Sequence, residues 1–545
     1  MAGVSAETAP AEREARRALA TLCAVLFLTF LDTTIVSVAL ADVQTTLHAG
    51  VSQLQWVVNG YAVAFASFML AAGTLGDRFG RRRVLLVGLG AFCAGSLVAA
   101  VAPNPDTLIA GRVLMGLGAA ASEPGTLSII RHLYPDGDRR ARALGTWVAV
   151  SGLALAAGPV VGGALVGLGG WRDVFYLNLA AGVVLFAAAH RLVPESADPT
   201  TVHLDVIGSG LIFVAIAALT FAVMVGEQSG FASRTVVVLF AAGVIGLLAF
   251  LRNERRAPAP ILDIGYLASP AFSGALVVAF AIFFGIFSIF FFSALYLQVV
   301  VGYSGYRTAV EFVPMAATMI AAALVSGRLV SLVGARLPMA GGAALAGVGI
   351  LLSDAALTAH GTPPGWLVGS LAASGLGFGL AVVPVTTVAL SVVPARHSGM
   401  AASATNTSRE LGAVFGVAVL GALVNGHLTS DLTARLHALG IPSAFQAIVI
   451  SAVETGGLPG SSGVSQAERA YGPIVAKVIH AAYGAFRAGL DISLLVSGAT
   501  ILAAAVVALA TMGRPALGSL DRPVEPGGEP VRTTAAPPGR RASAT

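Results

Sequence analysis

Apolar stretches of about 20 residues recur along nearly the whole chain, separated by short polar turns. Fourteen are read, at 18–40, 53–75, 83–102, 107–130, 141–166, 172–192, 206–225, 234–251, 271–300, 307–330, 337–359, 364–392, 402–425 and 489–512. At 1.5 Å per residue, a helix of that length crosses the roughly 30 Å hydrocarbon core of a bilayer. The first stretch is no cleaved leader: it is long, contains Asp32 and leads directly into further spans. Two regions break the pattern. Residues 426–488 read as a long outer loop whose 466–488 part has helical apolar spacing, as in a surface cap or interfacial helix. The tail from Arg514 is rich in Pro, Gly, Ala and Arg and reads as disordered.

Composition narrows the class. Charged residues are 11% and hydrophobic ones 56% of the chain, against roughly 25% charged in a soluble domain. Too few charges are present to cover soluble surfaces. An ordinary soluble enzyme, a disordered chain and a nucleic-acid-binding module are excluded, and the expected class is an all-α polytopic membrane protein. Of 32 Lys and Arg residues only Lys477 is lysine, and it is not preceded by Gly. No Walker phosphate loop exists to bind a nucleotide. Cys23 and Cys93 lie in apolar runs without metal-ligand spacing, so neither metal nor cofactor is expected. Positive residues set the orientation: 18 Arg residues fall in one set of inter-span segments, and three, Arg172, Arg234 and Arg307, in the other. Both termini are therefore expected in the cytoplasm of a cell-membrane protein, which requires an even number of spans.

The chain repeats itself. Gly73, Asp77 and Gly80 at the end of span 2 recur as Gly327, Ser331 and Gly334 at the end of span 10, offset by 254. Gly116-Leu-Gly118 with Pro124 in span 4 recurs as Gly375-Leu-Gly377 with Pro384 in span 12, offset by 259 and 260. The unit is six helices, with spans 7 and 8 inserted between two copies.

The strongest motif is Gly73-Thr-Leu-Gly-Asp77-Arg78-Phe-Gly80-Arg81-Arg-Arg83. Its glycines permit a tight turn and close helix contact. Asp77 can accept from arginines and from a helix N-terminus, so the cluster can lock one arrangement of the halves, while Arg82 and Arg83 also serve topology. With Leu31-Asp-Thr-Thr-Ile-Val-Ser-Val-Ala-Leu40, Arg112-Val-Leu-Met-Gly116, Gly152-Leu-Ala-Leu-Ala-Ala-Gly158-Pro159-Val-Val-Gly162-Gly163 and Trp171-Arg-Asp-Val-Phe-Tyr-Leu-Asn178, the chain resembles the major facilitator superfamily. The likeness is to its fourteen-helix drug:proton antiporters of the EmrB/QacA type. That resemblance implies two six-helix halves plus two inserted helices, with a conformational lock at Gly73, Asp77, Arg78, Gly80 and Arg81. It also implies an antiporter-like motif at Gly152, Gly158, Pro159, Gly162 and Gly163. Ser331 departs from the Asp expected in the second loop copy. The expected parts are 1–17 (N-terminus), 18–192 (first half), 193–270 (inserted pair and linkers), 271–512 (second half) and 513–545 (tail).

Ionisable residues inside a membrane are functional candidates. By rise, Asp32 and Arg112 lie about 12 Å and about 8 Å from the outer ends of their helices, close enough to pair, either as a proton site or as a static tie between helices. Glu123, in Ser122-Glu-Pro-Gly, has no acidic counterpart at Val383 in the second copy, so the fold does not demand it. An acid in such an apolar setting is a candidate proton or substrate residue. Glu311 follows Arg307 by four and reads either as a site residue or as a surface pair. Asn406 and Arg409-Glu410 read either as a secondary site or as a helix-end feature. Gly158 to Gly163 are expected to pack the halves together. The phenylalanines at 283, 284, 287, 290, 291 and 292 face either lipid or a binding cavity.

The resemblance implies a proton-coupled exporter of small amphipathic or cationic organic compounds, working as a monomer by alternating access. The exporter of a self-made metabolite and a nutrient uniporter or symporter are alternatives. A membrane enzyme or sensor is disfavoured, since no catalytic motif lies outside the spans.

Overall fold

The computed structural model describes residues 4–49, 51–196, 205–257, 260–301, 303, 305–358, 364–394, 397–454 and 473–512. All regular structure among them is helical. The first half comprises α1 (Val4–Leu47), α2 (Val51–Phe79), α3 (Arg81–Ala100), α4 (Pro105–Leu133), α5 (Gly137–Gly169) and α6 (Arg172–Leu192). The inserted pair is α7 (Val206–Ser229) and α8 (Arg234–Glu254), followed by a short α9 (Ile264–Leu267). The second half comprises α10 (Pro270–Val299), α11 (Gly305–Val333), α12 (Arg336–Thr358), α13 (Pro364–Val392), α14 (Ser398–Ala438) and α16 (Pro473–Thr511), with α15 (Ser443–Glu454) between the last two. Among the described residues thirteen helices are long and apolar enough to cross a membrane. The 33-residue α5, packed between α1 and α11, supplies the fourteenth position.

Helix starts follow local chemistry. Asn104 accepts from Thr107 N at 2.9 Å to cap α4, and Asp205 accepts from Gly208 N at 2.7 Å to cap α7. The start of α3 has no side-chain cap of its own, and Glu195 from beyond α6 serves instead, accepting from Arg82 N at 3.1 Å. Gly80 makes the turn between α2 and α3 with φ +104°, and its repeat partner Gly334 does the same between α11 and α12 with φ +78°. Only glycine enters that region cheaply.

The repeat read from the glycines is physical. In the first half α4 packs on α2 and α3, and α1 on α5; in the second α13 packs on α11 and α12, and α10 on α14. Each Gly-Leu-Gly serves two contacts at once. Gly116 faces the Tyr61 carbonyl of α2, and Gly375 the Met315 carbonyl of α11. Gly118 faces α3, where an added Cβ would lie 2.5 Å from Phe92 N and 2.6 Å from the Gly88 oxygen; Gly377 meets Ala346 and Gly342 of α12 in the same way. Because backbone blocks the added carbon, Gly118→Val is expected to cost about 1–3 kcal/mol. The check is a lower unfolding temperature in detergent, with Gly167→Val, which has nothing within 4 Å, unchanged. Equal melting of the two variants contradicts the contact.

The halves meet along two matching seams, α5 on α11 and α2 on α14, and α7 packs on both α2 and α14. The segment expected as an outer loop, 426–488, is largely helical where described: α14 runs on to Ala438, α15 follows, and α16 begins at Pro473. Residues 455–472 and the tail expectation for 513–545 lie outside the described residues.

Candidate functional site

Buried charge is rare among the described residues: three clusters lie along the bundle, and Glu254 stands apart at the end of α8, accepting from Leu262 N at 3.2 Å. At the Arg-rich end Asp77 accepts from Arg81 Nε at 3.0 Å and Nη2 at 2.7 Å, and from Met400 N of α14 at 3.2 Å. Arg81 Nη2 also donates to Ser398 Oγ at 3.0 Å. The lock residues thus grip the N-terminus of α14 across the seam, where the helix dipole favours a carboxylate. Gly73 and Gly399 let the backbones meet: a Cβ on Gly73 would collide with Ser403, and one on Gly399 with the Asp77 carboxylate. Arg78 instead lies over the Phe79 ring, 5.1 Å to its centroid. At the matching seam Ser331 is exposed and donates to the Arg328 carbonyl at 2.8 Å, so the second loop copy carries no acidic clamp. Arg131, counted in the sequence only as a topology residue, reaches from α4 to α13 and donates from Nη2 to the Val393 carbonyl at 2.9 Å and from Nη1 to that of Leu390.

The second place lies within the first half. Arg112 pairs with Asp32, donates from Nε to the Val57 carbonyl at 2.8 Å and covers the Tyr61 ring at 4.5 Å. Asn178 donates to the other Asp32 oxygen at 2.6 Å. Both charges are sealed, at 0% and 1% exposure. The pairing expected from their similar depths is present. Asn178 stood inside a quoted motif with no role assigned, and here it fixes the carboxylate's second oxygen.

The third place joins the halves. Glu123 comes from α4; Asn406, Arg409 and Glu410 come from α14. Arg409 donates from Nη1 to Asn406 Oδ1 at 3.1 Å and from Nη2 to Thr386 Oγ1 on α13. Its guanidinium lies between Trp147 of α5 and Phe283 of α10, at 5.4 Å and 5.5 Å. Trp147 Nε1 donates to Thr126 Oγ1 at 3.0 Å. Thr126 and Thr386 are repeat partners, so one repeat position anchors a tryptophan in the first half and an arginine in the second. Glu123 and Glu410 are Arg409's electrostatic neighbours, and Tyr61 lies in the field of both this cluster and the Asp32 pair. Glu123 Oε2, Arg409 Nε and Asn406 Nδ2 have no hydrogen-bond partner among the described residues.

Arg409 is not a helix-end residue: α14 begins at Ser398, a full three turns earlier. Trp147 and Thr386 had no site role in the sequence reading, and Glu410 was read only together with Arg409. Glu311 sits half-buried near the start of α11, with no hydrogen bond or ion pair to the central charges among the described residues, while Arg307 lies over Tyr303 at 3.9 Å. Phe283, Phe284 and Phe292 are buried, and Phe287 and Phe290 half-buried, so this face of α10 looks inward; the side chains of Phe291 and Pro159 lie outside the described residues.

The glycines of α5 divide their work differently from expectation. Gly158 and Gly162 pack on Thr34 and Ile35 of α1, inside the first half, and Gly163 is exposed. The contact between halves comes from Gly145 on Ala323 and Gly152 on Met319 of α11. Gly145 and Gly152 lie seven apart, two turns along one stripe of the helix, and Gly158 falls on another.

The family model described as Major Facilitator Superfamily matches residues 22–417. The chain belongs to that superfamily. It is 33% identical over 428 residues to the Multidrug resistance protein Stp of Mycobacterium tuberculosis (strain CDC 1551 / Oshkosh), covering 78% of this chain and 79% of the relative. It is 34% identical over 395 residues to the Methylenomycin A resistance protein of Bacillus subtilis (strain 168), covering 72% and 84%. The Tetracenomycin C resistance and export protein of Streptomyces glaucescens is 32% identical over 490 residues, 88% of each chain. Among solved structures, the proton:xylose symporter XylE aligns over 91% of this chain and 95% of its own, with TM-score 0.59 and 12% identity. The human organic anion transporter MFSD10 aligns over 91% and 99%, also with TM-score 0.59, at 13% identity. This member of the superfamily is a multi-pass membrane transporter and not an enzyme.

Proposed function

We propose that this protein exports small organic compounds, amphipathic or cationic, in exchange for protons, with its Arg-rich face in the cytoplasm. The observation that carries this is a charge imbalance. In the middle of the bundle Asp32, Glu123 and Glu410 stand against Arg112 and Arg409. Buried charges are tolerated when paired, and one carboxyl has no guanidinium. Neutrality calls for one further positive charge, supplied by a proton or by the substrate's own cationic group. The two compete for one place, which is antiport by exclusion.

Glu123 and Glu410 share Arg409, and we assign the odd charge to Glu123. Asp32 is spent on Arg112 and Asn178 deep inside one half, whereas Glu123 meets residues of the other half and keeps Oε2 unpartnered. It is two turns from Arg131 on α4, so its occupancy is coupled through one helix to the tie on α13. Asp32 and Arg112 then act as a positioning pair. The drug-resistance and export names of the relatives support the direction of transport.

In proteoliposomes holding a pH-sensitive dye, adding substrate is expected to drive proton movement through the native protein. Glu123→Gln is expected to lower that movement at least tenfold. Full coupled transport by Glu123→Gln sinks the assignment, and no proton movement with any of a broad set of organic compounds sinks the antiport reading.

A further inference from the structure

The α14 side of the central charge cluster has a specific chemistry. Arg409 Nε and Asn406 Nδ2, both on α14, have no partner among the described residues, and their side chains are buried at 2% and 1% exposure. Both are donors. Two further contacts hold the side chains in place, Arg409 Nη1 donating to Asn406 Oδ1 at 3.1 Å and Nη2 to Thr386 Oγ1, so the pair forms one donor surface. Glu123 Oε2 is the unpartnered acceptor from the other half. Around them are flat or aliphatic surfaces: Trp147 and Phe283 flank the guanidinium. A narrow crevice beside Arg409 is walled by Ala279, Ile282, Val382 and Val385.

A bare organic cation satisfies Glu123 and leaves both donors idle. A ligand that also carries an acceptor oxygen satisfies all three groups. Sites built to hydrogen-bond an oxygen discriminate against analogues that lack it, because their own polar atoms are left unpaired. We propose that the substrates are planar amphipathic amines bearing a carbonyl or hydroxyl oxygen, with the oxygen accepting from Arg409 Nε and Asn406 Nδ2 and the ammonium meeting Glu123. This rests on the export reading above and narrows its substrate class.

Two planar dyes separate the terms: mitoxantrone, an aminoquinone, and ethidium, a planar cation without oxygen. Equilibrium binding to the purified native protein is expected to favour mitoxantrone at least tenfold. Asn406→Leu and Arg409→Lys are each expected to weaken mitoxantrone about tenfold more than they weaken ethidium. Asn406→Asp, which offers the guanidinium a carboxylate, is expected to weaken mitoxantrone and strengthen ethidium. Should Arg409→Lys not fold, the two Asn406 variants decide. No preference in the native protein, or equal losses for both dyes in a folded Asn406 variant, overturns the proposal. The export reading is tested apart, by moving the same dyes in proteoliposomes under a pH gradient. Transport of both dyes without discrimination overturns only the oxygen requirement; transport of neither overturns export as well.

Discussion

Arg112→Leu is expected to destabilise the protein by about 3–5 kcal/mol, because it strands a carboxylate in the interior of one half. The cost has a definite local origin. Asp32 at 0% exposure keeps only Asn178, at 2.6 Å, once the guanidinium is gone. The Val57 carbonyl on α2 loses its donor from Arg112 as well, a bond of 2.8 Å. The pair ties α1, α2, α4 and α6 together, so its loss is felt across the half. A double-mutant cycle isolates the ionic part. Asp32→Leu alone strands a buried guanidinium and is expected to be comparably costly. The double variant removes both charges and is expected to be more stable than either single one, since a buried pair is worth little more than well-packed apolar residues. Unfolding by SDS titration from mild detergent gives the free energies. Additive losses would show that the two side chains do not act as a pair, and would return Asp32 to the list of proton carriers.

How far the sequence could be read depended on whether a feature was local or relational. Asp32 and Arg112 were legible as a pair because helix rise converts sequence position into depth, and both lie near the same depth. Asp77 was legible because a glycine-flanked acid beside arginines suits a helix N-terminus, and the N-terminus it meets is that of α14. Arg409 was misplaced for a physical reason. Apolar windows mark where hydrocarbon begins, but α14 starts at Ser398 in a segment of Ser, Thr, Asn and Ala that is buried by protein and not by lipid. Its 41 residues overrun the window at both ends, which also turned part of an expected loop into helix. The α5 glycines were assigned to the wrong neighbour because a Gly-rich motif reports closeness and not the partner's identity. Arg131 hid among topology arginines, since a positive residue at a membrane edge has the same sequence signature whether it faces lipid headgroups or the carbonyls of another helix.

Asp77→Asn is expected to open the Arg-rich face. In the structure that face is shut by two ties of different kinds. One is the Asp77 carboxylate, which joins Arg81 at 2.7 Å to Met400 N at 3.2 Å across the α2–α14 seam. The other is Arg131, whose guanidinium meets the carbonyl end of α13, where positive charge is favoured. The α5–α11 seam offers Ser331 in place of a matching acid, so the second loop copy has no carboxylate equivalent to Asp77. Hydrogen bonds to a charged group are worth about 1.5–3 kcal/mol. Losing about 2 kcal/mol shifts a two-state equilibrium about thirtyfold. An asparagine keeps the shape and the contact with Gly399, so the change reads charge and not packing. Spin labels at Arg83 and Pro394, with Cys23 and Cys93 replaced, report the separation of the halves by pulsed electron resonance. The native protein is expected to give one short distance, and Asp77→Asn to add a long component. Arg131→Gln is expected to open the face less by itself. Combined with Asp77→Asn it is expected to open the face further than either alone, because the ties lie on different helices and bear on the same motion. Unchanged distances both in Asp77→Asn and in the double variant would show that apolar packing along α5–α11 holds the face shut by itself. In that case the charged loop serves only to orient the chain in the membrane.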